Sequence, residues 1–167
     1  MRGVRVLSTA ESVRTVAALV HHPSPDVRTQ ALSTLEYTRA LAAEAGAEIA
    51  AALSDERDVV RLAAARVLRW LTPEGAEGVR ASADSRTTDA LRRSLTDPLY
   101  SVRWAAVRLL AAAKAASPEE LTTVLLASEP TPGRFADDWA LAADAIEPKP
   151  ARLQTRLAEM RALDTAK

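Results

Sequence analysis

DVVRLAAARVL, residues 58–68, is an amphipathic helical stretch that the chain writes three times in closely similar form. On a common phase, DVRTQALSTL (26–35), VVRLAAARVL (59–68) and SVRWAAVRLL (101–110) each carry Val-Arg, followed by Ala and Leu at fixed offsets. Val27, Ala31 and Leu35 thus correspond to Val60, Ala64 and Leu68, and to Val102, Ala106 and Leu110. Offsets of zero, four and eight keep each trio on one face of a helix. The upstream residues match as well: Val20, Leu53 and Leu95 lie seven residues before the valine, and Val16, Ile49 and Leu91 four residues before those. Between them stand HHPSPD, SDERD and TDPLYS, rich in the Pro, Asp and Ser that stop one helix and cap the next. The predicted unit is a short first helix, a polar turn and a longer second helix.

The spacing is uneven, at 33 residues from Val27 to Val60 and 42 from Val60 to Val102. The excess falls in TPEGAEGVRASADSRTT (72–88), whose Pro73, Gly75 and Gly78 predict an inserted loop. Further on, SPEELTTVLLA (117–127) reads as another first helix, with Ser117 as cap, Pro118 in the first turn and Glu120 at the capping-box position. FADDWALAADAI (135–146) reads as its partner, in which Ala142 and Ile146 keep the pattern while Asp138 and Trp139 stand where Val-Arg is expected. ARLQTRLAEMRAL (151–163) carries a stripe of Leu153, Leu157 and Met160, suited to closing the end of a stack. One domain over 1–167 is therefore expected, with repeats at about 9–37, 38–71, 72–114 (insertion 72–88) and 117–147, and a cap helix at 151–164.

With its Asp- or Pro-containing turns followed by Val-Arg-x-x-Ala-x-x-x-Leu, the chain resembles the HEAT-repeat family, in the short bacterial form also called PBS-lyase HEAT-like repeats. The resemblance covers about residues 9–114. It implies an all-α fold: a short right-handed α-solenoid of about four helix pairs plus a C-terminal capping helix. It also implies a non-enzymatic protein-binding role as adaptor, scaffold, assembly factor or inhibitor.

Composition narrows the chemistry. Lys plus Arg and Asp plus Glu balance at 22 each, so no global field draws the chain to nucleic acid or membrane. There is no cysteine, which excludes disulfides, thiolate metal sites and cysteine nucleophiles. The two histidines, His21 and His22, are adjacent and precede Pro23, so they lack the i, i+4 geometry of a helical metal site. No cofactor or metal is expected. MRGVRVLSTAES lacks the apolar core of a signal peptide, and no stretch is long and apolar enough to span a bilayer; a cytoplasmic protein is expected.

Helical phase then nominates a surface. The face opposite offsets zero, four and eight falls at offsets two, six and nine, which the resemblance places on the concave wall. The middle repeats put Leu62, Arg66, Arg69, Trp104 and Arg108 there, with Glu36, Asp144 and Glu147 toward the ends. An exposed Trp104 and Leu62 among three guanidinium groups suit an acidic protein or peptide. The resemblance further implies that Arg28, Arg61 and Arg103 of the Val-Arg pairs pair with acidic residues of adjoining turns, for which Asp26, Asp55, Asp58 and Asp97 are available, while Trp70 and Trp139 are expected to fill space between repeats. The alternative is nucleic-acid binding: Trp104, Arg66, Arg108 and Asp144 loosely resemble the groove of HEAT-like alkylpurine DNA glycosylases.

Overall fold

The computed structural model describes residues 10–38, 45–69, 85–128, 130 and 136–165, and among these the regular structure is entirely helical. The first pair is α1 (Ala10–Ala18), extended by a 3₁₀ turn at Leu19–His21, and α2 (Pro25–Glu36). The second is α3 (Gly46–Ala52) with α4 (Asp58–Arg69), and the third α5 (Ser85–Ser94) with α6 (Tyr100–Ala112). α7 (Pro118–Ala127) and α8 (Ala136–Asp144) follow, then α9 (Ala151–Thr165). Within each pair the first helix packs on the second. The second helices also pack in succession, α2 on α4, α4 on α6 and α6 on α8, while α3 touches both α1 and α5. α9 lies against α8.

The phase read from the sequence is the phase of burial. Ala31, Leu35, Val60, Ala64, Leu68, Val102, Ala106 and Leu110 are all buried, as are Ile49 and Leu91 of the first helices and Val20, Leu53 and Leu95 in the turns that follow them. Val16 and Val27 are only half-buried. Both belong to the outermost pair, which has described neighbours on one side only. One connected core runs from Val13 to Met160 and includes Leu153, Leu157 and Met160 of α9. No described pair could hide its apolar stripe alone, so the stack is what makes each helix stable.

Local signals explain the ends. Ser117 Oγ accepts the Glu120 N–H at 3.2 Å, with Pro118 in the first turn of α7. Part of the expected loop is helical: α5 begins at Ser85, so 85–88 form its first turn, and 72–84 lie outside the described residues. The Ser-Thr run reads as a loop on polarity, yet these residues start the helix whose Ala90 and Leu91 are buried, with Leu95 buried just past its end. Trp70 also lies outside the described residues.

The arginines of the Val-Arg pairs tie one repeat to the next. Arg28 reaches Asp55, with Nε 2.8 Å from Oδ2 and Nη2 donating to Oδ1 at 2.9 Å. That hydrogen bond leads in raising the Arg28 guanidinium above its ordinary pKa, against the opposing effect of burial. Arg61 repeats the contact one pair later, its Nε 2.6 Å from Asp97 Oδ2. Each arginine also donates back to its own turn, Arg28 to the His22 and Pro23 carbonyls, Arg61 to those of Asp55 and Glu56, and Arg103 to that of Asp97. The aspartates cap their turns: Asp55 Oδ1 accepts the Arg57 N–H and Asp97 Oδ1 that of Leu99. Of the expected partners, Asp58 contributes a 3.2 Å contact to Arg61, and Asp26 is exposed.

Removing one partner of a nearly buried pair strands the other, so Asp97→Ala should destabilise the fold by about 2–4 kcal/mol. Asp97→Asn retains an oxygen for the Leu99 N–H and should cost about half as much. Urea denaturation followed by circular dichroism measures both.

Candidate partner-binding groove

A groove of about 350 Å³ opens between α4 and α6. Leu62, Ala65 and Leu68 of α4 line it together with Ser101, Trp104 and Ala105 of α6, and Leu141 enters from α8. Leu62 and Leu141 are exposed, at 38% and 41%. The rim is charged, with Glu36, Arg66, Arg69, Arg108 and Asp138. All five residues nominated from helical phase, Leu62, Arg66, Arg69, Trp104 and Arg108, therefore meet at one site.

Their states differ from the expectation in two respects. Trp104 is not an exposed ring; it is 2% exposed. Its indole N–H donates to Ser128 Oγ at 3.2 Å, and Tyr100 stacks on it with centroids 5.9 Å apart. The cause is tertiary. α6 is flanked by α4 and α8, so a large side chain on its outward flank is covered from both sides. The second difference is that the arginines already hold protein partners. Arg66 Nη2 donates to Glu36 Oε2 at 2.8 Å. Arg69 Nε lies 2.7 Å from Asp138 Oδ1. Arg108 Nη1 donates to the carbonyls of Leu68 and Arg69 at 2.9 and 3.1 Å, placing a cation at the C-terminus of α4 where the helix dipole favours it. Burial lowers the Arg108 pKa, and Asp138 opposes that shift.

Asp144, expected on this wall, lies elsewhere. Its carboxylate meets Arg161 at 2.7 Å and Lys149 at 3.9 Å, tying α8 to α9, and it does not line the groove. Asp138 lines it instead. In α8 it is Trp139 that goes into the core, fully buried with its indole N–H donating to the Leu125 carbonyl at 3.1 Å, while Asp138, one residue earlier, turns to the flank facing Arg69. The only sequence signal for Asp138 was its misfit, a carboxylate where the other repeats have valine. Leu141 gave no signal, and Glu36 was on the expected face without a role.

Burial is the leading influence on Asp138 and pushes its carboxyl up; Arg69 and Arg108 pull it down and neighbouring Asp137 adds to the rise. No group of three His, Asp or Glu side chains that could hold a metal occurs among the described residues, and no described helix is long and apolar enough to cross a membrane.

An acid whose pKa is raised by folding binds protons more readily in the folded than in the unfolded state. Its penalty is absent below the ordinary aspartate range, grows as pH rises through the raised value, and is complete above it. Asp138→Asn should therefore be at least as stable as wild type at neutral pH. Its advantage should shrink as pH is lowered through the window just above the ordinary aspartate range, as read from paired thermal melts.

Comparison with protein-family models and with the sequences of curated proteins finds no match to this chain.

Proposed function

We propose that this chain is a non-enzymatic helical-repeat interaction module: a short right-handed solenoid of HEAT-like pairs closed by α9, which binds an acidic protein or peptide in the α4–α6 groove. The pairwise succession of helices and the arginine staples between consecutive turns support the repeat reading. One observation carries the functional reading: an open apolar groove, floored by Leu62, Ala65, Trp104 and Leu141, is rimmed by three arginines against two carboxylates. Apolar surface gives such a site its affinity, and the excess of guanidinium groups sets the sign of its partner. The role is that of an adaptor, assembly factor or inhibitor, and we place it in the cytoplasm as the sequence reading expects. The nucleic-acid alternative has less in its favour, since Trp104 is buried rather than presented for base stacking and Asp144 is outside the groove.

The test uses Leu62→Glu/Arg66→Glu, both positions being exposed and outside the core. Tagged wild-type and variant proteins are used to capture partners from host lysate, with and without nuclease, and the acidic segment of the captured protein is then titrated against both. We expect a modestly lowered melting temperature, since Glu36 loses its guanidinium, with helicity retained, and a loss of affinity of at least about tenfold in the variant. Equal capture by both proteins would remove the groove from consideration, and nuclease-sensitive capture would favour the nucleic-acid alternative.

A further inference from the structure

The groove contains its own carboxylates. At one end Glu36 of α2 holds Arg66, and at the other Asp138 of α8 holds Arg69. Neither acid is required by the repeat. The residue at the place of Asp138 is valine in the three regular repeats, and the core position beside it is filled by Trp139. Asp138 is also poorly solvated, its side chain 18% exposed beside Leu141 and the apolar floor, so its charged form is disfavoured where it sits.

Resting on the reading above, we infer that Asp138 is a built-in stand-in for the partner: in the free protein it occupies, at Arg69, the place that a carboxylate of the bound segment takes. The partner's chemistry follows from the groove. Its volume, about 350 Å³, is at the small end for a binding pocket and admits one or two large side chains rather than a whole helix. The occupant is therefore a protein segment that presents a bulky apolar side chain to Leu62 and Leu141, flanked by glutamate or aspartate toward Arg69. Binding exchanges one carboxylate for another on the same guanidinium. The intramolecular acid gives Arg69 a counter-charge in the free protein, and its cost falls on partners that bring a carboxylate to that place, because these must displace it.

The experiment uses a fluorescein-labelled amphipathic peptide of alternating leucine and glutamate turns, and a control with glutamine for glutamate. Anisotropy titrations compare wild type, Asp138→Asn, Leu62→Glu and the double variant, each checked for helicity and melting. Removing the competing charge should tighten binding of the glutamate peptide about three- to fivefold, leave the glutamine peptide unchanged, and have no effect once Leu62→Glu has abolished binding. If Asp138→Asn binds the glutamate peptide no better than wild type while Leu62→Glu still abolishes binding, the groove stands and the stand-in role fails. Equal tightening for both peptides overturns it as well, because the effect then does not depend on a partner carboxylate. Absence of binding by both wild type and Asp138→Asn overturns the assigned partner chemistry together with the stand-in.

Discussion

Every later feature of this molecule depends on the contact between a Val-Arg arginine and the aspartate of the following turn. Helices as short as these are marginal alone, and apolar stripes do not by themselves fix how far one pair slides along the next. Arg28 to Asp55 and Arg61 to Asp97 fix it. Each aspartate serves twice, accepting a backbone N–H two residues on and a guanidinium besides: Asp97 divides the two between its oxygens, whereas Asp55 Oδ1 takes both the Arg57 N–H and Arg28 Nη2. The ends of the series differ in kind. His22 stands five residues before Val27, as Asp55 and Asp97 stand before Val60 and Val102, and it caps the turn in the same way, Nδ1 accepting the Ser24 N–H at 3.1 Å. At the other end the Arg103 guanidinium rests 4.6 Å over the Tyr100 ring.

The groove is a consequence of that register. With α4 held beside α2 and α6 beside α4, the outward flanks of α4 and α6 share one trough, and Arg66 and Arg69 of α4 line up with Arg108 of α6 along its rim. The same packing sets their partners. Arg108 is spent on the last carbonyls of α4, so it serves the fold as much as the surface, whereas the more exposed Arg66 and Arg69 hold carboxylates that another molecule's acid can replace. A small, neutral protein can in this way keep a locally cationic site without a cationic surface.

Much of this was legible in the residues. Three in-phase copies of Val-Arg-x-x-Ala-x-x-x-Leu announce helix, turn and buried face, because helical period is a local property that a side chain's neighbours at four and eight residues already express, whereas the pairing of the arginine between turns was implied by the family resemblance. Ser117, Pro118 and the stripe of Leu153, Leu157 and Met160 were readable for the same reason. Period failed where burial depends on a third helix. Trp104 lies on the outward flank by angle, yet it is covered because α8 packs against α6.

The sequence by itself determined that this protein is helical, where its helices turn, which face of each is apolar, and that Leu62, Arg66, Arg69, Trp104 and Arg108 share one wall. Tertiary structure alone decided which of those side chains are exposed, that each arginine already has a partner, and that Asp138 rather than Asp144 enters the groove. The division has a physical cause. Periodicity fixes the direction of a side chain about its own helix axis, but exposure and pairing depend on what the neighbouring helices bring to that direction. In α8 the bulk of Trp139, drawn into the core, is what leaves Asp138 facing Arg69.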